Sequence, residues 1–164
     1  MVESIPMQTA ILGFGNPVRA DDGVGVYVAQ KLQEALDALP DCQVFDMGTS
    51  AFEVLYKLRD HDRIILIDAV INTDDEVGSV YRLPASEVEA QIEDDPMVFL
   101  HGLKWHQALS YARKILGDDY PEEVEVYLIS IEDTRFNVGM TDSAKKGADR
   151  VIELLTQRLK PEEV

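Results

Sequence analysis

The sequence predicts an α/β fold with three layers, in which a mostly parallel, twisted sheet of about five strands lies between two layers of helices. Continuous apolar runs alternate with segments of helical periodicity along the chain, which is typical of parallel strands joined by right-handed helical crossovers. The length of 164 residues fits one domain with a sizeable core. We therefore expect a single domain, 1–164, with flexible termini at 1–7 and 160–164.

Five segments have the composition and length of strands. The run RIILIDAV is apolar almost throughout, as expected for the middle of a parallel sheet, and the polar loop INTDDEVG after it marks where that strand ends. SVYRL follows this loop and is the candidate edge strand. In chain order the predicted strands are TAILGFG (9–15), CQVFDM (42–47), RIILIDAV (63–70), SVYRL (79–83) and EVEVYLISI (123–131).

Four segments predict helices, at 23–36, 50–58, 101–116 and 141–159. The first has apolar residues at positions 24, 28, 32 and 35, a spacing that places them on one face. Ser50 is the predicted N-cap of the second helix, Gly117 is the predicted C-cap of the third, and the fourth begins at a good capping residue, Thr141. Residues 84–96 are expected to form a short helix or an irregular acidic segment.

Composition and charge limit the kinds of partner. Apolar residues make up 46% of the chain, which is too high for a disordered protein. The formal net charge of -16 argues against nucleic acid and anionic membranes and favours a cation or a basic partner. The single cysteine, Cys42, excludes an internal disulfide and a cysteine-based zinc site. With no signal-peptide pattern and no apolar run near about 18 residues, we expect a soluble cytoplasmic protein.

The stretch ILGFGNPVRADDGVG at 11–25 joins the first strand to the first helix. Gly13 and Gly15 satisfy part of the G-x-G-x-x-G dinucleotide fingerprint, but Val18 occupies the third glycine position and no G-K-[ST] follows. The carboxylates of Asp21 and Asp22 would also repel a polyphosphate. These departures from the fingerprint argue against nucleotide binding at this turn.

The acidic pair in this turn has a purely structural alternative. Asp21 could cap the first helix, and Asp22 could interact with the positive end of its dipole. That alternative leaves Gly23 and Gly25 unexplained, since each lowers helix stability by about 1 kcal/mol relative to alanine. We therefore expect that something approaches the backbone closely at these glycines.

Ligands bind at the carboxyl ends of the strands in folds of this class. The residues that leave those ends include Asp22, Asp46 and Asp68, together with His101 if its helix begins at the same edge. Two carboxylates and an imidazole suit a borderline divalent metal with open coordination positions. The alternatives are a turn residue for Asp68 and an ordinary helix histidine for His101 or His106.

Four motifs occur in the order found in one known family. They are GFGNPVRADDGVGV, FDMGTSAFEVL, RIILIDAV and HGLKWHQAL. The sequence resembles the hydrogenase maturation endopeptidases, which remove a C-terminal extension from the large subunit of nickel-iron hydrogenases. The resemblance extends over most of the chain, and four motifs in order make it far more specific than any one of them.

The resemblance implies a set of metal-binding residues. Carried over motif by motif, they are Asp22 in the acidic pair, Asp68 at the end of the third strand and His101 at the start of a helix. His101 fits the motif better than His106, because the leucine and alanine positions that follow it then agree. The chain departs from the family in a helix one residue longer after His101 and in the residues VFL that precede it.

The resemblance also implies the substrate and its metal. The partner is the large-subunit precursor of a nickel-iron hydrogenase, and nickel arrives bound to that substrate, although the free enzyme could bind another divalent cation. We expect a monomer. The acidic runs at 74–76 and 93–95 are expected to be solvated loops that could attract a basic segment of the precursor. Substrate contacts are expected from Gly15, Asn16, Asp46, Gly48, Thr49 and Ser50, the last four having a helix cap as the alternative.

Asp22 and Asp68 are also the predicted catalytic residues. The metal could polarise the scissile carbonyl or activate a water, or one of the two carboxylates could act as general base. The motifs leave two other functions open: a non-catalytic metal-sensing chaperone for the large subunit, and a nucleotide-binding α/β domain.

Overall fold

Five strands and four α-helices occur in the part of the chain that the computed structural model describes, residues 7–16, 23–50, 53–71, 73–88, 105–132 and 140–160. The strands are β1 (Thr9–Phe14), β2 (Cys42–Gly48), β3 (Arg63–Val70), β4 (Val80–Pro84) and β5 (Glu123–Ser130). The helices are α1 (Val24–Ala35), α2 (Val54–Arg59), α3 (Trp105–Leu116) and α4 (Asp142–Leu159), with 3-10 turns at Ala85–Glu87 and Gly117–Asp119.

The strands form one sheet in the order β2-β1-β3-β5-β4. β1, β2, β3 and β5 run parallel, and β4 pairs antiparallel with β5 at the edge. From β1 the chain moves to one side to form β2 and then crosses back to form β3 on the other side. The strand order therefore reverses between β1 and β3, and ligands of open α/β sheets bind outside the carboxyl ends of strands at such a reversal. The predicted, mostly parallel sheet of five strands is confirmed.

Alternating side chains of the central strands pack into two cores on opposite faces of the sheet. On β3, Ile64 and Leu66 pack in the core that contains α2 and α3, whereas Ile65 and Ile67 pack in the core that contains α1 and α4. All four side chains are fully buried, as expected for a strand that is covered on both faces. This arrangement confirms the three-layer α/β/α fold.

Most predicted boundaries agree with the structure, and one capping prediction is wrong. Glu53 occupies the N-cap position of α2, so Ser50 does not cap this helix. The N–H of Ser50 instead donates to the carbonyl of Met47 (2.9 Å), because the chain turns tightly as it leaves β2. The predicted capping residue of α4 is confirmed, since Thr141 Oγ1 accepts a hydrogen bond from the N–H of Ala144 (3.3 Å).

Other predicted segments fall partly outside the described residues. Within the predicted segment 84–96, Ala85–Glu87 form a 3-10 turn and 89–96 lie outside the described residues. The third helix was expected from residue 101; its described part begins at Trp105. Gly117, its predicted C-cap, has a φ of 53°, the left-handed conformation that is common just after a helix. The predicted flexible termini lie almost entirely outside the described residues.

Gly25 in α1 and Gly13 in β1 are required by the packing of this helix on the sheet. A Cβ atom on Gly25 would lie 2.1 Å from the carbonyl oxygen of Phe14 and 2.6 Å from that of Ile67. A Cβ atom on Gly13 would lie 2.3 Å from the carbonyl oxygen of Gly25. The expected close approach is therefore found at Gly25, and it comes from β1 and β3. This packing holds the first turn of α1 against the carboxyl ends of the two central strands.

Candidate active site

Asp68 lies at the reversal of strand order, near the carboxyl end of β3. The preceding residue, Ile67, pairs with Gly13 of β1, so Asp68 is level with the last residue of β1. Its partly buried carboxylate accepts a hydrogen bond at each oxygen: Oδ1 from the N–H of Ala69 (2.7 Å) and Oδ2 from the indole N–H of Trp105 (2.6 Å). These two bonds fix the orientation of the carboxylate.

The indole of Trp105 connects Asp68 to the first turn of α3. Its ring centroid lies 6.1 Å from that of Phe14, with an angle of 30° between the rings, and it packs against the core formed with α2 and α3. The sequence pattern did not predict this role, because a tryptophan at helical spacing is typical of an ordinary core position. The one available signal was its place within the motif HGLKWHQAL.

His106, the alternative histidine, lies directly after Trp105 on α3. The centroids of the two rings are 5.7 Å apart and the rings are perpendicular. His106 is partly buried, and its neighbour Trp105 contacts Asp68, so His106 lies in the turn of α3 that approaches this carboxylate. The choice of His101 as the ligand stays a prediction.

Gly15 and Gly48 join the exits of β1 and β2 at the same rim of the sheet. The N–H of Gly15 donates to the carbonyl of Gly48 (2.8 Å). Their φ angles are 151° and 54°, and such positive values favour glycine. Asn16 is partly buried, and Thr49 and Ser50 are exposed in the turn after β2. Five of the six predicted substrate contacts thus lie along one rim, and their contact with substrate stays a prediction.

Asp46, the remaining predicted substrate contact, lies on the opposite face of the sheet from Asp68. Both neighbours of Asp46 in β2 pack in the core with α2 and α3, so strand alternation directs Asp46 towards α1. Its Oδ1 accepts a hydrogen bond from the N–H of Gly48 (3.0 Å), and its Oδ2 accepts one from the side-chain amide of Gln30 on α1 (3.3 Å). Because β2 and β3 are two strand spacings apart, about 10 Å, the structure does not group Asp46 with Asp68.

Asp22 and His101 lie outside the described residues, but the elements that follow them reach this rim. Asp22 directly precedes Gly23, at the start of the helix that abuts the ends of β1 and β3. His101 precedes Trp105 by four residues. Among the described residues, no group of three His, Cys, Asp or Glu side chains is arranged to bind a metal ion. A complete metal site at Asp68 would therefore include ligands from other segments.

The amino edge of the sheet, opposite the rim that contains Asp68, carries an acidic cleft. A cleft of about 600 Å³ lies there, lined by Met7 and by residues 59–62 and 118–123, which include six acidic side chains. Cys42 also lies at this edge, at the start of β2. Burial raises the pKa of the Cys42 thiol, and the opposing effect of Arg63 is smaller. Because a protonated thiol is a poor nucleophile, Cys42 is not suited to attack a peptide bond.

Comparison with known proteins agrees with the four sequence motifs. Residues 26–158 match the family model of the hydrogenase maturation proteases. The chain belongs to this family. The matched range contains Asp68 and Trp105 and begins just after the acidic pair of the first motif.

Individual hydrogenase maturation proteases align with most of the chain. The hydrogenase 2 maturation protease of Escherichia coli (strain K12) is 24% identical over 155 residues, which cover 94% of this chain and 92% of that protein. The [NiFe] hydrogenase maturation protease HycI of Thermococcus kodakarensis KOD1 has a similar structure, with a TM-score of 0.74 and 24% identity over 94% of this chain and 93% of that one. The hydrogenase maturating endopeptidase HybD of E. coli gives a TM-score of 0.72 with 23% identity over 93% of each chain. These similarities show a shared fold.

None of the helices within the described residues is both long enough and apolar enough to span a membrane.

Proposed function

We propose that this hydrogenase maturation protease is an endopeptidase that removes the C-terminal extension from the large subunit of a nickel-iron hydrogenase after nickel insertion. It recognises the nickel carried by the substrate through Asp22, Asp68 and His101. The observation that carries the proposal is the orientation of the Asp68 carboxylate, which is fixed at both oxygens at the reversal of strand order in a member of this family.

Chain connectivity supports the other two ligands. Asp22 is bonded to Gly23, so their Cα atoms are about 3.8 Å apart, and two residues later Gly25 packs against the carbonyl of Ile67, the residue before Asp68. His101 is four residues before Trp105, which limits the separation of their Cα atoms to about 14 Å. Both limits are compatible with a cation that Asp68 shares with these residues.

Two carboxylates and one imidazole form an incomplete coordination site. Divalent nickel accepts oxygen and nitrogen donors together, and ligands from the precursor would complete its coordination. A precursor without nickel lacks the cation that offsets the repulsion between two neighbouring carboxylates, so its binding is disfavoured. Cleavage therefore depends on prior nickel insertion, and the metal acts as part of the substrate.

Two routes to hydrolysis use these residues. In the first, nickel polarises the scissile carbonyl or activates a water molecule. In the second, Asp22 or Asp68 removes a proton from the attacking water, and nickel positions the substrate. In both routes Asp68 acts from a fixed position, as a ligand of the nickel or as the base, and its hydrogen bonds to Ala69 and Trp105 support that role.

The acidic loop after β3 suits a precursor with a basic segment. Residues 74–76 are exposed at the carboxyl side of the sheet, and hydrogen bonds anchor the loop, from the Tyr81 hydroxyl to Asp75 and between Thr73 Oγ1 and Ser130 Oγ (2.6 Å). The bond to Asp75 is the main cause that raises the pKa of Tyr81. Exposed charge of this kind speeds the encounter with an oppositely charged partner. The second acidic run, 93–95, lies outside the described residues. We expect one monomer of the protease to bind one precursor.

The test of the proposed function is an incubation of the purified protein with a nickel-loaded large-subunit precursor from the same cell. We expect a shortened large subunit and a released C-terminal peptide, both detected by mass spectrometry. The non-catalytic chaperone alternative predicts a stable complex with no shortened product. Formation of that complex without cleavage would overturn the proposed endopeptidase activity.

The same assay decides between the two histidines of α3 and the segment before it. His101→Ala is expected to abolish product formation, because it removes a nickel ligand, whereas His106→Ala should still yield product. Thermal unfolding of both variants provides the control for folding. The reverse pattern of activity would assign the ligand to His106.

A further inference from the structure

We infer that Trp105 is a positioning residue for Asp68, and that its indole N–H holds this carboxylate in the orientation in which it meets the substrate's nickel. The inference rests on the proposed function and adds a residue outside the three proposed ligands. The observation that carries it is the hydrogen bond of 2.6 Å from Trp105 Nε1 to Asp68 Oδ2.

The chemistry of the indole limits what Trp105 can do. An indole N–H donates one hydrogen bond and does not accept one, so Trp105 is neither a metal ligand nor a proton acceptor. Its ring packs beside the ring of Phe14, with centroids 6.1 Å apart. A rigid donor that is braced in this way can fix the direction of an acceptor, and the acceptor here is Asp68.

The hydrogen bonds that Ala69 and Trp105 donate to Asp68 come from different parts of the fold. Oδ1 is held by the N–H of Ala69, the next residue in the chain, so this bond moves with the backbone of β3. Oδ2 is held from α3, a separate element of the fold. The bond from Trp105 therefore fixes the rotation of the Asp68 carboxylate relative to α3.

A carboxylate held in this way can still bind a cation. Its two oxygens have about four lone-pair directions, more than the bonds from Ala69 and Trp105 use. Hydrogen-bond donors to metal-binding side chains orient these ligands, and their loss typically costs about 10- to 100-fold in metal affinity or activity. Loss of the Trp105 indole N–H is therefore expected to lower activity by about 10- to 100-fold.

The position of Trp105 also links two of the proposed ligands. It lies four residues after His101 within the motif HGLKWHQAL, which keeps the two Cα atoms within about 14 Å. The hydrogen bond from Trp105 to Asp68 thus ties the segment that carries His101 to the end of β3.

Trp105→Phe tests the inference, because phenylalanine keeps an aromatic ring beside Phe14 and removes the donor. We expect kcat/KM for the nickel-loaded precursor to fall by about 10- to 100-fold. Leu109→Val is the matched control: Leu109 lies one turn further along α3, is fully buried in the same core, and loses a comparable amount of packing. Both variants should lower Tm by about 2–4 °C, and the control should keep native kcat/KM.

A double substitution separates positioning from a purely structural role. If Trp105 acts through Asp68, adding Trp105→Phe to the Asp68→Asn variant should cause no further loss of kcat/KM. Independent roles would instead multiply the two losses. Multiplied losses would overturn the inference even if each single variant behaves as expected.

An NMR measurement tests the hydrogen bond without any cleavage assay. The chain contains one tryptophan, so a ¹H–¹⁵N spectrum has one indole cross-peak, which belongs to Trp105. Asp68→Asn should shift this peak and speed its exchange with solvent, and Asp118→Asn at the amino edge should leave it unchanged. An indole peak that is insensitive to Asp68→Asn would overturn the inference.

The outcomes distinguish the inference from the function on which it rests. Native cleavage by Trp105→Phe, or an equal loss in Leu109→Val, would overturn the positioning role and leave the protease function standing. A native protein that does not cleave the nickel-loaded precursor would overturn the proposed function itself, and the positioning role with it.

Discussion

Replacement of Asp68 by asparagine is expected to lower kcat/KM for the nickel-loaded precursor by roughly 150- to 5,000-fold. The substitution removes the negative charge that we propose meets the cation, and it replaces the charged acceptor of the Trp105 N–H with a weaker, neutral amide. Loss of one partner from a desolvated charge pair costs about 3–5 kcal/mol, and each loss of about 1.4 kcal/mol lowers the rate tenfold. Initial rates of product formation, measured by mass spectrometry, give the ratio.

Asp118→Asn is the matched control for this charge change. Asp118 is an exposed carboxylate at the amino edge of the sheet, on the side away from Asp68. Its replacement is expected to leave kcat/KM within about twofold, as is usual for an exposed position. Equal losses in the two variants would attribute the effect to net charge, and native activity in Asp68→Asn would contradict the role of Asp68.

Gly25→Ala is expected to lower the free energy of unfolding by about 3 kcal/mol, and hence Tm by about 6–12 °C. The new methyl group would meet the carbonyl oxygens of Phe14 and Ile67 at 2.1 and 2.6 Å. These are backbone atoms of two central strands, which cannot rotate away, so α1 itself must move outward. The higher helix propensity of alanine offsets only about 1 kcal/mol of this cost. Thermal and urea unfolding measure the loss.

Gly117→Ala is the control for the change of residue type. Gly117 has a φ of 53°, but a Cβ atom there would meet no other atom within 4 Å. Its replacement costs only the strain of a left-handed alanine, about 1–2 kcal/mol. A loss in Gly25→Ala no larger than that in Gly117→Ala would show that α1 does not pack on β1 and β3 as closely as described.

The sheet and the position of Asp68 could be predicted because they depend on local patterns. A continuous apolar strand that ends in Asp, within alternating strands and helices, places that carboxylate at the carboxyl rim of a parallel sheet. Family membership followed from motifs in a fixed order, and the five-stranded fold followed from the alternation of apolar runs with segments of helical periodicity. The glycine pattern likewise predicted a close approach at Gly25, although the sequence alone could not show that strands make it.

The features that the sequence did not predict depend on contacts between elements that are distant in the chain or on the turn between two elements. The bond from Trp105 to Asp68 joins residues 37 positions apart, and it depends on how far α3 reaches over the end of β3. Ser50 was expected to cap α2, but the turn after β2 uses its N–H before the helix begins. Asp46 and Asp68 both follow the rule for strand ends, yet strand alternation directs them to opposite faces.

We propose that the protease recognises nickel in its substrate through Asp22, Asp68 and His101. The most direct measurement compares cleavage of one precursor, at equal concentration, with and without nickel inserted. We expect rapid cleavage of the loaded precursor and no detectable cleavage of the unloaded one. Equal rates for the two forms would contradict recognition of the substrate's nickel.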